Sequence, residues 1–360
     1  MARFHSLQVA GITQETPDCV SVVFDVPESL LPEFTYIQGQ YLTLKLNVDG
    51  EEIRRSYSLC SSPVTDKELR VAVKKVTNGK GSTWINERMN IGDTIDVMTP
   101  MGNFYSRLEA SNKKHYVLFA GGSGITPMLS IMKSVLAIEP NSRVTLIYGN
   151  RDVQSVIFKN QIDELEKNNS SRLKVIHVLE NPPSGTETMY TGMLLPEKAK
   201  AIFDKHIGLA PENEYFICGP GPMMENVKKV LAELKAPTEK THIEYFSAVI
   251  EAVNAAEKKS TSPGGKLVSK VTIILDGDQQ TFDIPSDGQT VLDTAINAKM
   301  DVPFACKGAV CCTCRGKIIE GKATMAMNYA LTEQEVEDGY ILTCQAHPAS
   351  ETLIVSYDEP

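Results

Sequence analysis

Cys306, Cys311, Cys314 and Cys344 carry the most demanding chemistry in this sequence. The run Cys306-Lys307-Gly308-Ala309-Val310-Cys311-Cys312-Thr313-Cys314 spaces three thiols as C-x4-C-x2-C, and the fourth follows after a further ordered stretch. A two-iron, two-sulfide cluster needs four thiolates converging from a tight loop and one distant strand end, and small residues such as Gly308 and Ala309 let backbone amides approach the sulfides. A zinc site or a set of buried thiols is the alternative, although zinc more often uses paired C-x2-C units. Cys312 breaks the spacing and reads as a non-ligand beside the cluster. Five of the eight cysteines crowd into the last quarter of the chain, which in a reducing compartment points to metal binding rather than disulfides.

Two further sets of residues suit organic cofactors. Arg55-Ser56-Tyr57-Ser58 is preceded by Gly39-Gln40-Tyr41 and followed by Gly79-Lys80-Gly81-Ser82. Together these supply what a flavin requires: an aromatic face, a hydrogen bond near the reactive nitrogen, and positive charge with free amides for phosphate. Taken singly, Arg55 is a solvated strand charge and Tyr57 is core. Gly121-Gly122-Ser123-Gly124-Ile125-Thr126-Pro127-Met128 follows an apolar strand and opens a helix, with Pro127 suited to the first turn. Glycines there let backbone approach a phosphate at the positive end of the helix. The run is not the G-x-G-x-x-G fingerprint. Cys218-Gly219-Pro220-Gly221-Pro222-Met223 forms a second strand-to-helix turn of this kind. Arg151, after the strand Val144–Tyr148, is placed to pair with a 2′-phosphate or to stand free as surface charge.

The elements that must position these residues divide into three groups. Val20–Val26, Gln40–Asn47, Ile53–Leu59, Leu69–Val76 and Thr94–Thr99 read as short strands of an antiparallel β-barrel, assigned to residues 1–109. Strands at Tyr116–Ala120, Val144–Tyr148, Leu173–Leu179, Tyr215–Cys218 and His242–Phe246 alternate with helices at Pro127–Leu136, Ser155–Lys167 and Pro222–Leu234. This pattern predicts a doubly wound parallel α/β sheet over residues 110–250. Residues 251–267, including the polar stretch Ala255–Lys266, read as a flexible linker. Residues 268–360 then hold a hairpin about an Asp-Gly turn, a helix at Val291–Met300, a capping box from Thr332 to Glu335, and a strand at Tyr340–Leu342.

The cysteine spacing resembles that of plant-type ferredoxins, which implies an α+β β-grasp domain and a [2Fe–2S] cluster on Cys306, Cys311, Cys314 and Cys344. The R-x-Y-S and G-x-x-S segments and the two glycine turns resemble the ferredoxin–NADP reductase superfamily. That resemblance implies FAD and NADPH or NADH as cofactors. Arg55 would meet the flavin phosphate, Tyr57 would stack on the ring, and Ser58 would lie near its N5 beside Ser56. Gly81 and Ser82 would face the pyrophosphate. Gly121, Gly122, Gly124, Thr126 and Pro127 would receive the nicotinamide cofactor, with Cys218 and Gly219 near the carbon that gives up hydride. Phe246, in the segment Glu244-Tyr245-Phe246, would shield the ring or simply pack. With its ferredoxin part C-terminal, the whole chain looks like reductases serving multicomponent oxygenases, such as the di-iron epoxidases of phenylacetyl-CoA in phenylacetate catabolism. Those of Rieske-type 3-ketosteroid hydroxylases have a similar layout.

At 360 residues the chain exceeds a single core. No apolar run approaches a membrane span, and the first residues lack a signal-peptide core, so a cytoplasmic location is expected. Of the formal charge of −9, residues 268–360 contribute −8, from 14 acidic and 6 basic residues. An acidic C-terminal third disfavours nucleic acid and suits either solubility or docking to a basic patch on a protein electron acceptor. The expected function is that of an oxidoreductase passing electrons from a nicotinamide through flavin and cluster to an oxygenase. The reading from another class is a redox-sensing iron–sulfur protein with a degenerate flavin site.

Overall fold

The computed structural model describes residues 3–246 and 267–359, which form three sheets. The first is antiparallel: β1 (Phe4–Thr16), β2 (Cys19–Asp25), β3 (Tyr41–Val48), β4 (Glu51–Ser58), β5 (Leu69–Lys74) and β6 (Thr94–Met98), in the order β4-β3-β6-β1-β2-β5. A bridge between Leu59 and Val71 joins the two edges and curls the sheet into the expected barrel. Leu42, Leu44 and Leu46 alternate along β3 and fill its interior. Tyr41 and Thr43 lie on the opposite face yet are also buried, because the C-terminal sheet covers them.

The second sheet is parallel: β7 (His115–Gly121), β8 (Arg143–Asn150), β9 (Leu173–Leu179), β10 (Asn213–Cys218) and β11 (Thr241–Glu244), in the order β11-β10-β7-β8-β9. Every residue of β7 is buried, as a central strand covered on both faces requires. The chain reverses its direction of winding between β7 and β10, and both glycine turns leave the sheet there. Such a switch point opens a crevice beyond the strand ends.

The third sheet mixes parallel and antiparallel pairs in the order β13-β12-β16-β14-β15, formed by Val268–Leu275 (β12), Asp278–Pro285 (β13), Arg315–Met325 (β14), Tyr340–Leu342 (β15) and Ala346–Ser356 (β16). The buried Val291, Leu292 and Ala295 of the short helix Val291–Asn297 join its core, giving the β-grasp arrangement. Asp276 and Gly277 both take positive φ at the hairpin turn, where Asp-Gly pairs are favoured. Thr332 and Glu335 form the reciprocal capping box expected from their spacing.

The sequence reading passed over several elements. β1 alternates weakly and carries register shifts at Val9/Gly11 and Gln14/Thr16, which blur its period. β14 and β16 are rich in Lys, Glu, Gly and Ser. Gly79–Ser82, to which the sequence assigns flavin contacts but no element, includes the start of α1 (Lys80–Glu87), and the helix Pro196–His206 is not among the expected helices. The linker expected at Ala255–Lys266 lies outside the described residues.

Candidate redox site

Cys218 ends β10 and stands in parallel register with Glu244 at the end of β11. Ser58, at the end of β4, donates a hydrogen bond from Oγ to Glu244 Oε2 at 2.9 Å, joining barrel to parallel sheet. Burial pushes the Glu244 carboxyl up to about 8, against the opposing pull of the Ser58 hydrogen bond. Cys218 is fully buried; that burial, and secondarily the Glu244 charge, hold its thiol well above the ordinary range. Ser58 and Cys218 are buried and Glu244 half-buried at this junction, where thiol and carboxyl both favour their neutral forms near pH 7.

The glycines of the two turns have different tasks. A Cβ on Gly124 would collide with the Cys218 carbonyl, and one on Gly219 would stand 2.8 Å from the Gly121 amide nitrogen. One on Gly121 would press on Pro220 and Met223. These three glycines let β7 and β10 end against each other. Gly122 alone of the first turn faces open space, with φ of +52° and Lys74 Nζ as the neighbour a Cβ would meet at 3.7 Å. Tyr148 donates to the Gly122 carbonyl at 2.9 Å, and Thr126 donates to that of Ser123 at 3.0 Å, fixing the turn before α2 (Ile125–Ile138). Pro127 lies in the first turn of α2.

On the barrel, a Cβ on Gly81 would stand 3.4 Å from Ile53 and 3.8 Å from Arg55 Cγ, so the start of α1 lies over Arg55. The Ser82 hydroxyl accepts from the Val76 amide at 3.1 Å and closes the turn into the helix. An exposed guanidinium beside a helix N-terminus is a fit for phosphate. Tyr57 is partly buried against the barrel core, and Ser56 hydrogen-bonds Thr43 at 3.1 Å. Arg151 is ion-paired at 3.2 Å to Asp18 of the barrel.

The four predicted cysteines converge as two pairs. Cys306 and Cys311 approach Sγ to Sγ at 3.1 Å, and Cys314 and Cys344 share a hydrogen bond. Within each pair that shared bond raises one thiol, Cys306 or Cys314, and lowers the other, Cys311 or Cys344. Backbone donors complete the cradle: the Gly308 amide points at Cys306 Sγ at 3.3 Å, and the Ala309 amide reaches Cys344. Lys307 and Ala309 take positive φ to aim them. Among the described residues no three His, Cys, Asp or Glu side chains gather as a mononuclear metal site. Two pairs with amides turned inward fit two irons, each held by two thiolates. Cys312 turns away, its Sγ donating to the Ala330 carbonyl at 3.3 Å.

One cleft joins these parts. Arg55, Ser56 and Ser58 of the barrel line it with Glu244 and Phe246 of the parallel sheet, and Cys306, Val310 and Cys311 of the cysteine loop close it. The sequence assigns Ser58 to the flavin, Cys218 to the nicotinamide and the four cysteines to the cluster, and Tyr41 only as part of a flavin segment; it assigns no role to Thr43 or Thr313, which with Tyr41 seat the cysteine loop on the barrel. The signal was the β3–β4 register, which sets Tyr41 opposite Ser58.

A flavin barrel, a parallel nicotinamide sheet and a cluster-binding β-grasp meeting at one cleft define an NAD(P)H-dependent flavin and iron–sulfur oxidoreductase. Family models describing an oxidoreductase FAD-binding domain, an oxidoreductase NAD-binding domain and a 2Fe-2S iron-sulfur cluster binding domain match residues 6–105, 118–229 and 273–349. A component of the 1,2-phenylacetyl-CoA epoxidase of Escherichia coli K12 is 36% identical over 99% of each chain. The ferredoxin reductase component of 3-ketosteroid-9-alpha-monooxygenase from Mycobacterium tuberculosis H37Rv is 37% identical over 98% of this chain and 96% of its own. The solved structure of phthalate dioxygenase reductase shares the fold, with a TM-score of 0.58 at 24% identity over 98% of both chains. The chain belongs to the family of oxygenase reductases that carry electrons from NAD(P)H through FAD and a [2Fe–2S] cluster to an oxygenase component.

Proposed function

We propose that this chain is the reductase of a di-iron oxygenase of the phenylacetyl-CoA epoxidase type, and that the cleft between Ser58, Glu244 and the cysteine loop is where its electrons change carrier. The observation that carries the electron route is that cleft, whose walls come from all three sheets. The di-iron oxygenase is proposed on 36% identity running over 99% of both chains, and the 3-ketosteroid component, at 37% over 98% and 96%, is the alternative that reconstitution must separate from it.

When bound, a nicotinamide, a flavin and a cluster would together supply the conversion of a two-electron hydride donor into single electrons. The chain's own residues bind and orient these groups. Arg55 and the start of α1, with Gly81 and Ser82, hold the flavin phosphates, and Tyr57 offers its face to the ring. Ser58 stands at the ring's hydrogen-bonding edge, and Phe246 covers it. Gly122, Lys74 and the N-terminus of α2 suit the nicotinamide pyrophosphate, while Cys218 fills the floor where the hydride leaves. Glu244, kept neutral by burial, holds a proton at its carboxyl beside Ser58 Oγ. Arg151 would have to give up Asp18 to meet a 2′-phosphate. Cys306, Cys311, Cys314 and Cys344 hold the cluster.

Reconstitution tests the partner. Purified chain with NADPH or NADH should support turnover of a di-iron phenylacetyl-CoA epoxidase complex at least about tenfold faster than that of a Rieske-type 3-ketosteroid oxygenase, a discrimination of about 1.4 kcal/mol in the docked complexes. The reverse preference assigns the chain to the second class.

A further inference from the structure

The face of β3–β4 turned away from the barrel interior forms a floor for the cysteine loop. In an antiparallel pair, residues directly opposite share a face, so Tyr41 and Ser58, Thr43 and Ser56, and Lys45 and Arg54 stand in one double row. The Cys312 amide donates to Tyr41 Oη at 2.8 Å. Thr313 Oγ1 lies 3.4 Å from Tyr41 Oη and 3.2 Å from Thr43 Oγ1, and Thr43 in turn lies 3.1 Å from Ser56 Oγ. Tyr41, Thr43 and Thr313 are all at most 5% exposed, so these bonds do not compete with water. A run of hydroxyls thus connects Ser56, on the wall of the cleft, to Thr313, two residues beyond Cys311 on the opposite wall.

Farther along the same face Arg54 locks the arrangement. Its guanidinium donates to Asp301 at 2.8 Å and to the Val302 carbonyl at 3.2 Å, and it lies over the Phe304 ring at 4.4 Å and beside that of Phe4 at 5.2 Å. At the opposite end Asn103 donates to Glu335 at 2.7 Å. The C-terminal sheet's segments are thus held at Asp301–Phe304 and at Glu335, and the cysteine loop itself at the two residues between Cys311 and Cys314.

We infer that Tyr41 and Thr43 are positioning residues for the step that moves an electron from flavin to cluster: through the Cys312 amide and the Thr313 hydroxyl they hold the ligand Cys311 against the strands carrying Ser56 and Ser58. The inference rests on the electron route proposed above. In that step one electron leaves the reduced flavin and reduces the cluster by one, with no bond made or broken at the loop. Its rate falls exponentially with the separation of the two redox groups, so a loop that drifts from the strand slows it. The Tyr41 ring packs against Cys306 and Cys311 at the cleft, while its hydroxyl acts through the peptide of Cys312. The extra cysteine of the motif needs only its amide for this purpose.

Tyr41→Phe and Thr43→Val test the inference in the full-length holoprotein, each keeping the approximate shape of the side chain. Amide hydrogen exchange of the peptide containing Cys312 is expected to quicken in Tyr41→Phe. Rapid mixing with NADPH is expected to bleach the flavin at the wild-type rate and to reduce the cluster roughly tenfold more slowly, with an unchanged cluster midpoint potential. If Tyr41→Phe fails to fold, Thr43→Val carries the same kinetic test. Wild-type cluster reduction in a variant containing both chromophores overturns the inference and leaves the electron route standing. A slowed step with a matching shift in midpoint potential also overturns it, because the residues then tune the cluster rather than place it. Wild-type protein lacking flavin or cluster defeats the underlying route instead.

Discussion

Glu244 is the side chain on which the pH behaviour of the cleft turns. Burial raises its pKa from 4.5 to about 8, so in the folded chain the carboxyl keeps its proton through neutrality and gives it up as pH passes 8. The linked contribution to stability has the same sense: it is fully present below about 4.5 and is lost as pH rises through the folded value. If the neutral acid serves the flavin edge, the rate of flavin bleaching by NADPH declines above pH 8, and Glu244→Gln, neutral at every pH, removes that inflection. Stopped-flow absorbance across pH 6–10, an interval of roughly two units on either side of that pKa, measures both. Cysteine chemistry gives a second contrast at this scale. Cys306→Ser should lose the cluster and electron delivery to a one-electron protein acceptor while keeping NADPH–ferricyanide activity. Cys312→Ser, which retains the amide bonded to Tyr41, should keep a full complement of iron and sulfide. Iron and sulfide analysis checks this, and loss of cluster from Cys312→Ser would make it a ligand.

At the scale of elements, the two glycine turns matter first as packing devices. Gly124 and Cys218 bring the ends of β7 and β10 into backbone contact, and a methyl group at position 124 has only the Cys218 carbonyl to push against. Gly124→Ala is expected to cost about 3 kcal/mol through overpacking and to lower the thermal midpoint. Nicotinamide-dependent flavin reduction should be lost before flavin binding is. Thermal unfolding with a parallel flavin titration separates the two. The legibility of these elements in the sequence followed their periodicity. The apolar runs of β7, β8 and β10, the Asp276-Gly277 hairpin and the Thr332–Glu335 cap were all readable, because burial on both faces or a demanding turn leaves a local mark. β1, β14 and β16 were not, since bulges and half-exposed faces dilute alternation. The helix at Lys80–Glu87 hid behind glycines that also suit a phosphate loop. Arg55, Ser58, Cys218 and the four spaced cysteines were legible as chemistry. Glu244 was noted but not its bond to Ser58, because that bond spans 186 residues and depends on how two sheets meet.

Across the whole molecule, three independently recognisable sheets share one cleft, and this sharing makes the chain a relay rather than three modules on a string. Arg54, buried among Asp301, Val302 and Phe304, shows that the C-terminal sheet is docked by specific contacts. The negative charge concentrated in that sheet is compatible with a basic acceptor surface, and no helix among the described residues is long and apolar enough to cross a membrane. The central claim is that electrons reach the cluster only through the flavin. Anaerobic rapid mixing with NADPH, followed at flavin and cluster absorbance bands in native and flavin-stripped protein, tests it most directly. The account predicts flavin bleaching followed by cluster reduction in the native protein, and an oxidised cluster that stays oxidised once flavin is removed and returns to activity when FAD is restored. Cluster reduction by NADPH in the flavin-free protein, or a native cluster that remains oxidised after the flavin has bleached, would contradict it.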